Sequence, residues 1–426
     1  MKVLVMDLTH GGDLLAKEYL ERGNEVTCVD CYGTEDEGTH GEMEALGIRC
    51  LGEAPDEEFD LLVSPVHCPD RRIGPAKYRR RLTHHQAVGE LFSFRGMMFE
   101  VTGASGKTTT CHLISHVLDY LGRNVLMMTS RGLTYLGEEV EVLDRGSIAP
   151  ASVLRVKEVD RRFDTLVLEI SLGGTGLADV GIITTMGSNY PIAERTRTAF
   201  DGKVQMVESA RRFVVVPQEE RDLWQRHLRP GAWLTSFGEG GDVQVTTGPL
   251  KLGEEAEIVV HTLGGGEFRT TVSGEFLLPS YLLPLGAALS AIRCYGVNMN
   301  HAVDAFQGFT GVPGRGEVYR EGDTWVIRDR NPGVSGVSLE YNLSNLEDHY
   351  GVEEVGLVIE PVSRRVCETL RMEDMEAIVQ AHPTVKGAYL LNPGGLESPS
   401  FEAIGDASEA IDRHPVVMWV TKEGYQ

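Results

Sequence analysis

The sequence predicts an α/β protein of three domains. Three observations carry that prediction. Short apolar runs of strand length alternate with stretches of helical period from residue 2 to residue 420. A glycine-bracketed turn joins one such run, Met97 to Val101, to a helical stretch that opens at Lys107. The chain has 426 residues, 42% hydrophobic and 24% charged, which is a globular balance with room for two or three cores.

The first domain, residues 1–92, reads as Rossmann-like. Lys2 to Met6 is a buried strand, and Asp7-Leu8-Thr9-His10-Gly11-Gly12 is the turn after it. Leu14 to Arg22 is amphipathic and stops at Gly23; Glu25 to Asp30 and Phe59 to Ser64 are further strands. No G-x-G-x-x-G is present, so a dinucleotide site is not indicated. Asp7, Thr9 and His10 lie where a parallel strand ends, the place where such sheets bind ligands. Turn chemistry and N-capping account for the same residues without a ligand. Between positions 71 and 81, Arg71, Arg72, Lys77, Arg79, Arg80 and Arg81 gather six cations in an acidic chain. They read either as a solvated helix face or as a landing site for an anionic substrate, because guanidinium forks match carboxylate and phosphate.

The second domain, residues 93–310, is organised around Gly103-Ala104-Ser105-Gly106-Lys107-Thr108-Thr109. Strand, glycine turn and helix make a phosphate cradle. Backbone N–H groups and the helix dipole favour an anion there, Lys107 supplies a point charge, and the Thr108 hydroxyl suits Mg²⁺. Two residues rather than four separate Gly103 from Gly106, so the loop is shorter than the usual P-loop. Strand Asn124–Thr129, a helix opened by Pro150 and strand Asp164–Ile170 follow. The last of these carries Glu169 at its carboxyl end, a ligand position for nucleotide-bound Mg²⁺. Val180–Thr185, a helix over Asp201–Arg211 and strand Phe213–Val216 continue the alternation. Residues 243–272 alternate polar and apolar between glycine turns, the pattern of antiparallel strands, and Tyr281 to Tyr295 is a helix of small residues. The third domain, residues 311–426, repeats the α/β pattern with strands at Trp325–Arg328, Gly356–Ile359, Gly387–Leu391 and Val416–Val420.

A net charge of −23 argues against nucleic acid as a partner and for solubility. No stretch reaches membrane-spanning length, and the chain starts directly in a strand, so neither a membrane nor a leader peptide is expected. Seven cysteines, an odd number, fit reduced thiols in a cytoplasm. Cys28 and Cys31 form a lone C-x-x-C with no second pair nearby, which reads as two thiols at a strand end and not as zinc.

These segments together resemble the Mur ligase family, ATP-dependent amide-forming enzymes and their relatives, over the whole chain and in the same three-domain order. Gly103 to Thr109 is similar to the family's short phosphate loop, and Glu169-Ile170-Ser171 to its Glu-x-Ser magnesium motif. Gly314-Arg315-Gly316-Glu317 is similar to the Gly-Arg-x-Glu signature that opens the C-terminal domain, and Asn331-Pro332 to the end of its Asn-Pro segment. Lys203 stands where the family places a lysine that is often carbamylated to hold a second metal. Tyr190 replaces a metal-binding His, Phe276-Leu277 a His-Asn pair, and Pro217-Gln218-Glu219-Glu220 an adenine-side Asn-x-Asp-Asp. The run Val3 to Gly12, with Phe59 to His67, resembles a methanogen branch that closes the last carbocyclic ring of a nickel tetrapyrrole coenzyme.

The resemblance implies ATP as substrate, held by Gly103, Ala104, Ser105, Gly106, Lys107, Thr108 and Thr109 with Arg315 and Asn331 from the C-terminal domain. It implies Mg²⁺, with Mn²⁺ able to substitute, on Thr108 and Glu169, and catalytic roles for Lys107, Glu169 and Lys203. The expected chemistry is activation of a substrate carboxylate as an acyl phosphate. An anionic small molecule, a nickel tetrapyrrole, would meet Asp7, Thr9, His10, Arg79, Arg80 and Arg81. Two other readings stand beside it: an amide-forming peptide ligase of the pseudomurein type, and an ATP-binding module without turnover.

Overall fold

The computed structural model describes residues 1–33, 37–144, 147–187, 189–331, 333–361, 371–392 and 398–422. Pro332 of the Asn-Pro segment and Ser188 of the turn before Tyr190 lie outside the described residues. The chain divides into two compact units, Met1–Ser236 and Phe237–Gln426.

The first unit opens with a five-stranded sheet in the order Arg49–Leu51, Glu25–Val29, Lys2–Met6, Glu58–Ser64 and Lys77–Thr83. All its pairings are parallel, with Val3 opposite both Val26 and Leu61. Lys2–Met6 and Glu25–Val29 are buried apart from their first residues, as continuous apolar strands covered on both faces must be. Helix Asp13–Glu21 stops at Gly23, whose φ of 78° takes the left-handed turn. The basic run is not one helix face: only Arg71 and Arg72 lie in a helix. After the short helix Asp70–Ile73 it becomes the edge strand Lys77–Thr83. Successive side chains of a strand alternate faces, so Arg79 and Arg81 project oppositely to Arg80.

A second sheet in this unit runs Phe213–Pro217, Val180–Ile183, Met97–Thr102, Thr165–Glu169, Val125–Thr129, Gly132–Leu136 and Glu141–Asp144. It is parallel as far as Val125–Thr129 and antiparallel over the last two strands. Gly132–Leu136 is short and mixes polar with apolar residues, and the edge strand Glu141–Asp144 is largely polar, so a reading based on apolar runs passes over both. The segment opened by Pro150 is a 3₁₀ helix, Pro150–Glu158, not an α-helix. The two sheets share one core, in which Val3, Leu15 and Val88 meet Met128, Val153 and Leu168.

The second unit contains the antiparallel strands Val243–Thr247, Ala256–Thr262 and Gly266–Val272, paired in that order as their alternation predicts. Helix Leu282–Cys294 buries Gly286, Ala287 and Ala288. A six-stranded sheet follows in the order Glu317–Glu321, Thr324–Asn331, Val416–Lys422, Val355–Glu360, Val385–Leu391 and Glu402–Ile404. Its first pair is antiparallel and the rest parallel. Helix Gly336–Tyr350 is fixed at its start by the Ser335 side chain and lays Leu339, Leu343 and Leu346 on Leu357 and Met418.

Candidate active site

The fully buried strand Met97–Thr102 lies between Val180–Ile183 and Thr165–Glu169. The turn at its carboxyl end is therefore flanked by the ends of both neighbours. Gly103 has a φ of 144°, and a Cβ there would stand 2.0 Å from Thr184 Oγ1. Glycine is required for backbone conformation and for close approach alike. Gly106, at φ 77°, turns the chain into helix Lys107–Tyr120. The loop is pinned from the neighbouring strand end: Ala104 N–H donates to Thr185 O over 2.9 Å, and the Thr184 hydroxyl donates to Ser105 O over 2.5 Å.

Glu169 sits beside this loop at the carboxyl end of its own strand, 2% exposed. Its Oε2 accepts from the Thr108 hydroxyl at 2.8 Å and from Ser130 N–H at 3.1 Å. Lys107 Nζ lies 4.0 Å from Glu169 Oε1 and donates to Gly103 O over 3.1 Å. A hydroxyl and a carboxylate oxygen held together in a buried cradle are the hard-oxygen donors that Mg²⁺ takes, so these residues fit that ion. Ser130 was not foreseen. It follows strand Val125–Thr129, and only the sheet order, which pairs that strand with Thr165–Glu169, brings it to Glu169.

Lys203 lies in helix Ala199–Ser209, 1% exposed. Its ammonium donates to Met186 O over 2.9 Å and stands 6.0 Å from the centre of the Tyr190 ring. Burial, with the positive charge of Lys107, pushes its pKa down to about 8. Glu220, at the end of Pro217-Gln218-Glu219-Glu220, accepts from Met186 N–H at 2.6 Å and from the Trp224 indole at 2.8 Å. It thus braces the same turn that Lys203 contacts. Within the first unit the structure brings Lys107, Thr108 and Glu169 together and sets Lys203, on helix Ala199–Ser209, against the Met186 turn that follows the neighbouring strand Val180–Ile183.

Arg315 and Asn331 belong to the second unit. Asn331 Nδ2 donates to Asp329 Oδ1 at 2.5 Å and to Gly314 O at 3.4 Å, and Arg330 N–H donates to Gly314 O at 3.1 Å. The Arg315 turn is thereby tied to the end of strand Thr324–Asn331. Burial raises the pKa of Asp329, against the pull of the Arg315 and Arg328 charges. Phe276 packs on Tyr281 with ring centres 4.6 Å apart, so the position of the missing His-Asn pair is part of an aromatic core.

The substrate-side candidates fall at the carboxyl end of the first sheet and along its edge. Asp7 is completely buried; its Oδ2 lies 2.6 Å from His10 Nδ1 and 3.5 Å from His67 Nε2. Burial by itself would raise its pKa, but the hydrogen bond and charge of His10, with the nearby His67 and His84 imidazoles, prevail and hold it far below the usual aspartate range. Thr9 N–H donates to Asp7 Oδ1 over 3.1 Å. On the edge strand each arginine meets a carboxylate: Arg79 with Asp60 at 3.4 Å, Arg80 with Glu90, and Arg81 with Asp70 at 2.8 Å. His84 and His85 were not singled out by sequence. Both are buried, donate from Nε2 to Met6 O and Ser171 O respectively, and have their pKa pushed down to about 4 by burial. The described cysteines, Cys28 and Cys31 included, are free thiols. No helix among the described residues is long and apolar enough to cross a membrane.

No protein-family model matches the chain. A coenzyme F(430) synthetase from Methanosarcina acetivorans is 31% identical over 423 residues, covering 90% of this chain and 88% of that one. A second protein of that name, from Methanocaldococcus jannaschii, is 30% identical over 49% of this chain and 50% of its own. Among solved structures, the MurF ligase from Thermotoga maritima in complex with ADP superposes with a TM-score of 0.60 at 18% identity. That match covers 96% of this chain and 94% of the other, which establishes the three-domain Mur ligase fold. The chain belongs to the coenzyme F(430) synthetase family and is a Mur-type, ATP-dependent ligase.

Proposed function

We propose that the protein uses ATP to activate a carboxylate of a nickel tetrapyrrole precursor and closes that molecule's last carbocyclic ring, forming coenzyme F-430. The observation that carries this reading is the similarity to a coenzyme F(430) synthetase over 90% of the chain. The intact cradle of Lys107, Thr108 and Glu169 supports the ATP half of it. In this reading domains 1–92, 93–310 and 311–426 contribute substrate contacts, the phosphate site and the nucleotide clasp in turn.

Backbone N–H groups from Ser105 to Lys107 cradle the phosphates, and Lys107 places its charge on the terminal one. Mg²⁺ bound to Thr108 and Glu169 would neutralise charge on the phosphate oxygens. A substrate carboxylate oxygen attacks the γ-phosphorus, the bond to the ADP oxygen breaks, and an acyl phosphate forms. A carbon nucleophile of the same molecule then attacks the acyl carbon, phosphate leaves, and a proton is lost from the nucleophilic carbon. The net change in the organic substrate is loss of one water. Lys203, buried and with a depressed pKa, has the neutral amine fraction that carbamylation requires. Its carbamate would add a carboxylate beside the phosphates. Arg315 and Asn331 would hold the nucleotide from the second unit, and Asp7, Thr9, His10, Arg79, Arg80 and Arg81 would meet the substrate.

Intramolecular attack needs no second organic substrate, because the nucleophile is present at an effective concentration on the order of 10⁵ M or more. The test supplies ATP, Mg²⁺ and the seco tetrapyrrole alone and follows ADP, phosphate and product mass. Expected is a product lighter by one water. Strict dependence on an amino acid, with its mass retained in the product, would replace ring closure by amide formation. An absence of ADP release with either class of acid would leave a binding module.

A further inference from the structure

Three metal-ligating side chains from two turns converge at the carboxyl end of the first sheet. Asp7 follows strand Lys2–Met6, and His10 lies in the turn after it. His67 follows strand Glu58–Ser64, which pairs in parallel with the first strand, Val5 opposite Val63. One ligand atom from each of Asp7, His10 and His67 lies within 4.8 Å of the others. The cluster is closed behind and open in front: the Asp7 side chain is 0% exposed, that of His10 43% and that of His67 26%.

Local structure aims these groups. Asp7 has a φ of 71°, a backbone conformation that is strained for a residue with a Cβ. Its Oδ1 accepts from Thr9 N–H, which turns Oδ2 toward both imidazoles. The His10 and His67 rings meet edge to face, with centres 4.8 Å apart. His67 Nε2 is buried and makes no hydrogen bond among the described residues, although it points at Asp7 Oδ2 from 3.5 Å.

We propose that Asp7, His10 and His67 form a binding site for a divalent transition-metal ion of the zinc or nickel type, with a coordination position left open toward solvent. Two imidazoles and one carboxylate select such ions over Mg²⁺ or Ca²⁺, which take oxygen ligands. Three protein ligands with an open position are the pattern of sites that accept an outside ligand. In a tetrahedral site with bonds of about 2.0–2.1 Å, ligand atoms stand about 3.4 Å apart. The 3.5 Å between His67 and Asp7 already matches that spacing. The 2.6 Å contact between His10 and Asp7 has to lengthen by less than about 1 Å, as the ion replaces the proton between them. The site uses none of the phosphate-loop residues and goes beyond the ligase reading without resting on it.

The test is a titration of the full chain, free of any histidine tag and stripped with a chelator, in the absence of nucleotide. Zn²⁺ is followed by calorimetry and Co²⁺ by its visible absorption. Expected are one equivalent of each ion bound with proton release, a Co²⁺ spectrum typical of nitrogen and oxygen ligands, and weakening by about tenfold or more in His67→Gln and in His10→Gln. Glu169→Gln should leave this equivalent in place. Circular dichroism of the metal-free variants checks that they fold, and His10, the more exposed of the two, serves if His67→Gln does not. No bound equivalent in the wild type, or one indifferent to both substitutions, would overturn the site.

Discussion

The first unit presents two strand-end sites built by one topological rule from different kinds of sequence. At the phosphate loop, the residues that meet are mostly neighbours in the chain: Gly103 through Thr109, with Glu169 added from the adjoining strand. At the first sheet, Asp7 meets His67 across the chain, and the basic groups lie on an edge strand where each is already paired. In our proposal the phosphate loop acts on charge that develops during reaction. The first sheet acts, in our proposal, on charge that the substrate brings with it. If that distinction holds, lesions at the former lower kcat and lesions at the latter raise KM.

The largest effect should come from the phosphate loop. Lys107→Ala and Glu169→Gln are each expected to lower kcat by on the order of 10² to 10³ or more, with the melting temperature little changed. Lys107 is partly exposed, and an isosteric amide at Glu169 keeps shape while losing charge. ADP release under saturating substrate is the measurement. A variant that lost affinity for the acid but kept kcat would erase the contrast between the two regions.

What was legible follows the same division. The phosphate loop could be read because strand, turn and helix are contiguous, and local geometry determines the cradle. Glu169 could be read because an acid after an apolar strand is conspicuous. Ser130 could not, since only the order of strands in the sheet places it at Glu169. His67 could not be joined to Asp7 for the same reason. The basic run was open to a helical reading because six cations in eleven positions carry no apolar period; the pairing of Leu61 with Arg80 and of Val63 with Leu82 settles it as a strand. Strands Gly132–Leu136 and Glu141–Asp144 escaped because each is short and mixes polar with apolar residues.

Lys203 belongs to the phosphate side and sharpens the comparison at intermediate size. Lys203→Ala is expected to lower kcat by on the order of ten- to a hundredfold, with partial recovery on adding short carboxylic acids. Full activity without rescue would remove the carbamate. Stability gives an independent readout. The pKa of Lys203 in the fold, about 8, is below its ordinary value of 10.5 because burial opposes the charge. Below about pH 8 both folded and unfolded chains are protonated and the penalty is present in full; from there to about 10.4 the unfolded chain binds more protons, and stability rises with pH. Lys203→Met should therefore be the more stable protein at pH 7, by roughly 1–3 kcal/mol, with the gap closing as pH rises through that window. A gap independent of pH would mean that the ammonium is not held in this buried site.

The smallest effect is expected on the edge strand, and there the alternation of side chains makes the test internal. Arg79 and Arg81 share one face of strand Lys77–Thr83, while Arg80 points the other way toward Glu90. All three already have carboxylate partners, and exposed pairs of this kind contribute only about 0–1 kcal/mol each. Removing one costs the fold little and leaves a measurement of substrate binding undisturbed. A polyanionic substrate reaching this edge would feel the face that carries Lys77, Arg79 and Arg81 more than the face that carries Arg80 alone. Arg79→Ala combined with Arg81→Ala should raise the substrate KM by about three- to tenfold, flatten its dependence on salt, and leave kcat and the KM for ATP nearly unchanged. Arg80→Ala should raise the substrate KM by less, about twofold or under, and likewise leave kcat and the KM for ATP nearly unchanged. Equal effects from both faces would point to a general field of the domain rather than a contact, and no effect from either would leave the basic strand as a solvated edge whose charges guard against pairing with another chain.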